Sequence, residues 1–99
     1  MNTHTIEFKF LFLADEHEEQ SKSILRKEIV CIIEDNVVPR TGIDMDDIEE
    51  WSAVTGPAQF HSSVSGFQYE VTVTIILKEE IEQTQADKVG YIRHRWGGH

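Results

Sequence analysis

The sequence predicts one α+β domain in which an antiparallel sheet is covered on one face by a long helix. Residues 5–13 and 67–77 alternate between apolar and polar side chains, and residues 16–35 between them contain neither Gly nor Pro. Alternation with period two is typical of a half-buried strand, and the uninterrupted run is typical of a helix. The order strand, helix, strand, strand, weak helix, weak strand favours a two-layer sandwich of ferredoxin-like type, β-α-β-β-(α)-(β).

Length and charge limit the class of protein. The 99 residues, 39% of them apolar, suffice for one core and one domain over residues 1–99. Eighteen acidic residues against nine basic ones give a net charge of −9, which repels nucleic acid and attracts basic partners. The apolar run at residues 10–14 is too short for a membrane span or a secretory signal, so we expect a cytoplasmic protein without a membrane partner. The lone Cys31 fits a reducing compartment and predicts a small buried side chain.

The first strand and the long helix follow from the residues that share each face. The first strand places its phenylalanines in the core, and its opposite face turns apolar at Leu11 and Leu13, which predicts an interior strand. Asp15 is suited to cap the helix, which we expect to end near Asn36, before Pro39. The core face of the helix contains Leu25, Ile29, Ile32 and Ile33.

The central strand, residues 67–77, places Phe67, Tyr69, Val71, Val73, Ile75 and Leu77 on one face. A two-residue turn at Ser65 and Gly66 would pair Val64 with Phe67 and Phe60 with Val71. Its first residues superficially match an RNA-binding sheet motif, but the aromatic residues share the core face, which disfavours RNA binding.

The C-terminal quarter carries weaker patterns. Residues 78–88 are consistent with a polar helix or a linker, and residues 88–99 with an edge strand or a mobile tail. The alternative architecture is a βαββ core whose C-terminal segment forms an arm that two subunits could exchange.

The candidate binding site lies in the segment between the helix and the next strand. We define the acidic connector as residues 44–50, and expect a short helix there that is capped by Asp44 and continues to Trp51. The calcium-loop pattern fails, because Ile48 falls at the fifth position and Glu49 at the turn glycine. We therefore predict a partner-binding site without metal ligands, formed by Asp44, Asp46, Asp47, Glu49, Glu50 and Trp51.

Catalytic motifs are missing from the sequence. There is no Gly-x-Ser-x-Gly, no paired cysteine motif and no Gly-rich phosphate loop, so we assign no catalytic residue and no cofactor. His17 beside Asp15 and Glu16 could act as a base, but acids in a first helical turn ordinarily complement the helix dipole. Whether the chain is an enzyme stays open, and a non-enzymatic protein is favoured.

Three hypotheses for the function follow. The favoured one is a small acidic protein-binding module, of the kind found among inhibitors and immunity proteins, that presents carboxylates to a basic partner. The second is a small oligomeric enzyme or ligand-binding domain with its site between sheet and connector, using His17, His61, Trp51 or nearby acids. The third is nucleic-acid attachment through the tail, where Lys88, Arg93 and Arg95 lie. A homodimer is compatible with all three, because Ile24 and Val30 lie beside the core face of the helix.

Overall fold

A computed structural model describes residues 1–14, 18–57, 59–61 and 66–92. Their secondary-structure elements are, in order, β1 (Asn2–Ala14), α1 (Glu18–Ile32), a π-helical segment (Ile33–Val37), α2 (Val38–Thr41), a 3-10 turn (Met45–Asp47), β2 (Ile48–Thr55), β3 (Gln59–His61), β4 (Gly66–Glu82) and α3 (Gln83–Asp87). The predicted α+β class is confirmed.

The sheet is organised around β4. Strand β1 pairs with one side of β4, and β2 and β3 pair with the other, all antiparallel. Phe8 lies opposite Val73, and Trp51 lies opposite Ile75. Because residues directly opposite each other share a face, the apolar faces of β1 and β4 form one surface.

That apolar surface and the long helix share one core. Eight of the strand positions predicted to face inward are buried, which confirms the alternation for residues 6–12 and 71–77. Tyr69 is only half-buried against the core, and the side chain of Phe67 is not among those described. Helical residues complete the cluster from the other side, since Ile29, Ile32, Ile33 and Val37 belong to the same group of buried contacts. The buried strand residues are Ile6, Phe8, Phe10, Phe12, Val71, Val73, Ile75 and Leu77.

Strand β1 is not the interior strand that its second face suggested. Leu11 is 40% exposed, and the sheet order places β1 at one end. The described residues beyond β1 add a single parallel bridge between Lys9 and Tyr91, with hydrogen bonds from the Lys9 N–H to the Gly90 carbonyl and from the Ile92 N–H to the Lys9 carbonyl. The apolar residue at position 11 therefore lies on an open face.

The helix continues past its predicted end at Asn36. The π-helical segment (Ile33–Val37) and then α2, which contains Pro39, extend it, and the chain leaves the helix at Gly42, whose φ is +78°. Pro39 lacks an N–H and its ring crowds an α-helical carbonyl four residues back. The wider π turn, in which the Val38 N–H donates to the Ile33 carbonyl, directly precedes the proline. The predicted cap, Asp15, lies outside the described residues.

The predicted hairpin register was wrong. Phe60 pairs with Phe67 rather than with Val71, and the ladder closes at His61 opposite Gly66. The connection is therefore longer than the two-residue turn at Ser65 and Gly66, and its residues 62–65, with Val64, lie outside the described part. Strand β2, which runs to Thr55, occupies the edge of β4 assigned by sequence to residues 58–60.

The C-terminal quarter differs from a helix or linker beginning at residue 78. Strand β4 runs to Glu82 because it still pairs with the start of β1, where Asn2 lies opposite Glu82. Among the described residues after β4, only Gln83–Asp87 is helical, and Val89 and Ile92 are buried against the core. Residues 93–99 lie outside the described part, so the ferredoxin-like arrangement stays a prediction.

The prediction that Cys31 is buried was wrong. Cys31 is exposed, because it lies off the helix face that contains Ile29, Ile32 and Ile33. No helix in the described part of the chain is long and apolar enough to cross a membrane.

Candidate functional site

The acidic connector begins with a single tight turn. Asp44 has extended backbone angles at the cap position, and the carboxylate oxygen Oδ2 of Asp47 accepts the Asp44 N–H at 2.8 Å. Asp44 and Asp47 thus form a capping box. The prediction that Asp44 is the cap is confirmed. The turn that it caps is only three residues long, Met45–Asp47.

The second half of the connector is a strand. Ile48 already pairs with Leu77, and Glu50 pairs with Ile76, so Glu49 is an extra residue in a bulge. The predicted helix through Trp51 was therefore wrong. Pairing with β4 supplies backbone hydrogen bonds that a short isolated helix would have to form alone, and helices of this length are only marginally stable in water.

A groove of about 740 Å³ lies between α1 and the start of β2. Its apolar lining comes from both walls, with Leu25 and Ile29 on the helix and Trp51 and Ala53 on the strand. Met45 and Ile48 line it at the connector, with Glu49 and Glu50 beside them. An open apolar groove bordered by charge is a typical protein-binding or ligand-binding surface.

Trp51 lies in the wall of this groove. Its side chain is half-buried, and the guanidinium carbon of Arg26 lies 6.0 Å from the centre of its ring. This distance is at the outer limit of a cation–π contact. Lys22 also lines the helix wall, so cations border the groove on the helix side and carboxylates border it on the connector side.

The structure brings together only part of the predicted site. Glu49, Glu50 and Trp51 line the groove, whereas Asp44, Asp46 and Asp47 lie in the exposed turn before it. All five carboxylate side chains are exposed. Their electrostatic field is therefore long-ranged in weak salt and screened in strong salt.

Sequence reasoning missed a second group of acids at the same end of the sheet. Ile48 lies opposite Leu77 in an antiparallel pair, so the chain before Ile48 lies beside the chain after Leu77. The exposed residues Glu79, Glu80 and Glu82 of β4 therefore extend the negative surface, and His4 Nδ1 lies 3.8 Å from Glu80 Oε1. Their position becomes apparent only when residues 78–82 are recognised as strand.

The alternative candidate residues are separated or outside the described part. His17, Arg93 and Arg95 lie outside it, and Lys88 is exposed at the end of α3. Among the described residues, no three acidic, histidine or cysteine side chains converge to hold a metal ion.

Comparison with known proteins gives no match to any protein-family model, curated protein or solved structure.

Proposed function

We propose that the chain is a non-enzymatic protein-binding module that receives a basic surface of another protein on its acidic connector and the adjoining groove. The observation that carries this proposal is the position of Trp51 in an apolar groove beside Glu49 and Glu50. Exposed carboxylates without an apolar neighbour are usually only solvated. Here a half-buried tryptophan lies beside them, and a partner can gain binding energy by covering its apolar surface.

The two parts of the surface have different roles. Exposed carboxylates speed the encounter with a cationic partner and orient it, but each contributes little to affinity. Aromatic side chains in apolar pockets supply most of the binding energy at protein interfaces. Trp51 is therefore the proposed anchor, and the connector carboxylates are the proposed steering and positioning groups.

Clustered carboxylates can occupy a surface that otherwise holds phosphate. An inhibitor or immunity-type role is the corresponding finer proposal, in a cytoplasmic setting. Its partner would be a protein whose basic site binds nucleic acid or another polyanion.

A homodimer is a separate proposal. It is supported by Ile24, which is 43% exposed on α1 beside the groove wall.

The ferredoxin-like architecture is also a proposal. The strand order β1-β4-β2 around a βαββ core supports it. The parallel Lys9–Tyr91 bridge supports the alternative with a C-terminal arm.

The proposal is tested with two variants of equal net charge. The site variant replaces Asp44, Asp46 and Asp47 with Asn and Glu49 and Glu50 with Gln. Asn is itself a good capping residue, so the turn should persist. Losing five negative charges changes the formal net charge from −9 to −4.

The control variant removes five exposed acids elsewhere and reaches the same net charge. Its substitutions are Glu7→Gln, Glu34→Gln, Asp35→Asn, Glu70→Gln and Asp87→Asn. Wild type and control should capture the same basic protein from the native cell, identified by mass spectrometry, and the site variant should not. Equal capture by both variants, or equal loss in both, would contradict the proposal.

The groove also supports the ligand-binding alternative, because its volume of about 740 Å³ lies in the range of small-molecule sites. A thermal-shift screen of metabolite-sized compounds distinguishes it. Stabilisation by a compound, lost on Trp51→Ala, would favour this second function. Attachment of nucleic acid through the tail stays a prediction, with a salt-sensitive shift lost on deleting residues 88–99 as its test.

A further inference from the structure

Strand β2 has a free edge in the described part of the chain. It lies at the end of the order β1-β4-β2 and pairs only with β4 there. The Gly56 N–H donates to the Glu70 carbonyl at 2.8 Å and continues the β2–β4 register. Hydrogen-bonded pairs in an antiparallel ladder occur at every second residue, so Val54 and Ser52 also bond to β4. The residues between them therefore direct their N–H and C=O groups away from β4.

The outward backbone groups belong to Trp51, Ala53 and Thr55. These three residues lie opposite Ile75, Val73 and Val71, so their side chains are on the groove side of the sheet. Trp51 and Ala53 line the groove itself. The free hydrogen-bonding edge and the apolar groove are thus formed by the same residues.

The edge carries protective features only at its ends. Natural edge strands are usually blocked by charge, by proline or by a bulge. Here the bulge is at Glu49 and the proline is Pro57, whereas residues 51–55 contain no charged residue, glycine or proline. Val54 is 69% exposed within that stretch. This leaves room for a strand of about five residues, a typical strand length.

We propose that this edge receives an extended segment of the basic partner as an added strand. The inference rests on the proposed function and gives its mode of binding. Main-chain hydrogen bonds to Trp51, Ala53 and Thr55 hold the segment, and every second side chain of the segment enters the groove. Those side chains are apolar, because Leu25, Ile29 and Trp51 line the groove and Arg26 disfavours a cation there.

Charge selects this occupant over a second copy of the chain. The start of β2 lies beside Glu49 and Glu50 and follows the acidic turn, so the end of the segment that lies there carries Lys or Arg. A second copy brings a net charge of −9 to a surface that is already negative. The partner segment therefore consists of a short apolar alternation that ends in basic residues.

The test uses a phage-displayed library of random short peptides, selected on the intact chain. Ala53→Pro removes the outward N–H of residue 53, and proline is tolerated on an edge strand where its nitrogen faces solvent. Val54→Thr is the control, because its side chain lies on the face away from the groove and its N–H is directed to β4. Selected peptides should have the predicted pattern and bind Ala53→Pro at least about tenfold more weakly, with Val54→Thr close to wild type.

A second measurement does not depend on the folding of Ala53→Pro. N-methylation of a selected peptide at alternate residues should abolish binding, and methylation at the intervening residues should not. A library without binders, or binders indifferent to both Ala53→Pro and N-methylation, overturns strand addition. If peptides that are indifferent to Ala53→Pro and to N-methylation nevertheless fail to bind the site variant, the proposed function stands and only its mode of binding is wrong. Binders that depend on the edge but not on the connector carboxylates contradict the basic partner.

Sedimentation of the free chain tests whether a second copy of the chain, rather than a partner segment, occupies the edge. A monomer, or a dimer that Ala53→Pro leaves intact, agrees with the proposal. A dimer that Ala53→Pro converts to monomer would show that a second copy occupies the edge, which overturns the assignment to a partner segment.

Discussion

Ile75 and Ile76 are identical neighbours on β4 with different surroundings. Ile75 is fully buried in the core, whereas Ile76 is partly exposed on the opposite face of the sheet. The strand alternation alone determines this difference, because successive side chains point to opposite faces. The pair therefore gives a matched test of which face the helix covers.

We expect Ile75→Ala to lower the free energy of unfolding by about 3–4 kcal/mol, through lost burial and the cavity that remains. Ile76→Ala should cost less than half as much, because solvent can fill the space on the open face. Urea denaturation monitored by circular dichroism measures both. Equal losses would mean that the sheet has no single covered face.

Cys31 provides a second residue-scale test. Its side chain is exposed on α1, so a thiol-reactive reagent should modify it in the folded protein about as fast as in urea. Modification that occurs only after unfolding would contradict this exposure and would support the buried Cys31 side chain that the sequence predicts. Cys31→Ser, which removes the only cysteine, is the control for reaction at other groups.

At the scale of elements, the helix terminus depends on Gly42. Its φ of +78° is a left-handed conformation, and a Cβ added there would meet no neighbouring atom within 4 Å. The cost of a side chain is therefore conformational rather than steric crowding by neighbours. We expect Gly42→Ala to destabilise the fold by about 1–2 kcal/mol, and Gly42→Asn by less, in thermal or urea unfolding. An Ala variant as stable as wild type would contradict this helix end.

Local patterns predicted the elements whose residues repeat regularly. The alternation of Ile6, Phe8, Phe10 and Phe12 identified β1, and the periodicity of Leu25, Ile29, Ile32 and Ile33 identified α1. The continuation of the helix from α1 through Pro39 was not predictable. The sequence rule that a helix ends before proline does not allow for a π turn. The hairpin register failed because pairing between distant residues, Trp51 with Ile75, decided which segment lies beside β4.

The candidate site shows the same division. The cap at Asp44 followed from local sequence, since capping involves only neighbouring residues. The strand conformation of Glu49 and Glu50 depends on β4, and so does the proximity of Glu79 and Glu80. Periodicity over such short polar segments does not distinguish helix from strand.

For the whole molecule, the charge of −9 should oppose folding by self-repulsion. Adding sodium chloride should raise the free energy of unfolding, because salt at about 0.1 M screens charges beyond about 10 Å. The rise should be smaller in the site variant, which carries five fewer negative charges. Denaturation in urea, which is uncharged, measures it. Stability independent of salt in wild type would contradict net repulsion.

In the described part of the chain, β2 has a free edge beside the acidic connector, and this edge underlies both the proposed binding surface and its mode of binding. Amide hydrogen exchange of the free chain, followed residue by residue by NMR, measures whether that edge is open. Ser52 and Val54 should be protected by β4, whereas Trp51, Ala53 and Thr55 should exchange close to the unfolded rate. Protection of all five amides would mean that the edge is already covered, and it would contradict a strand added there by a partner.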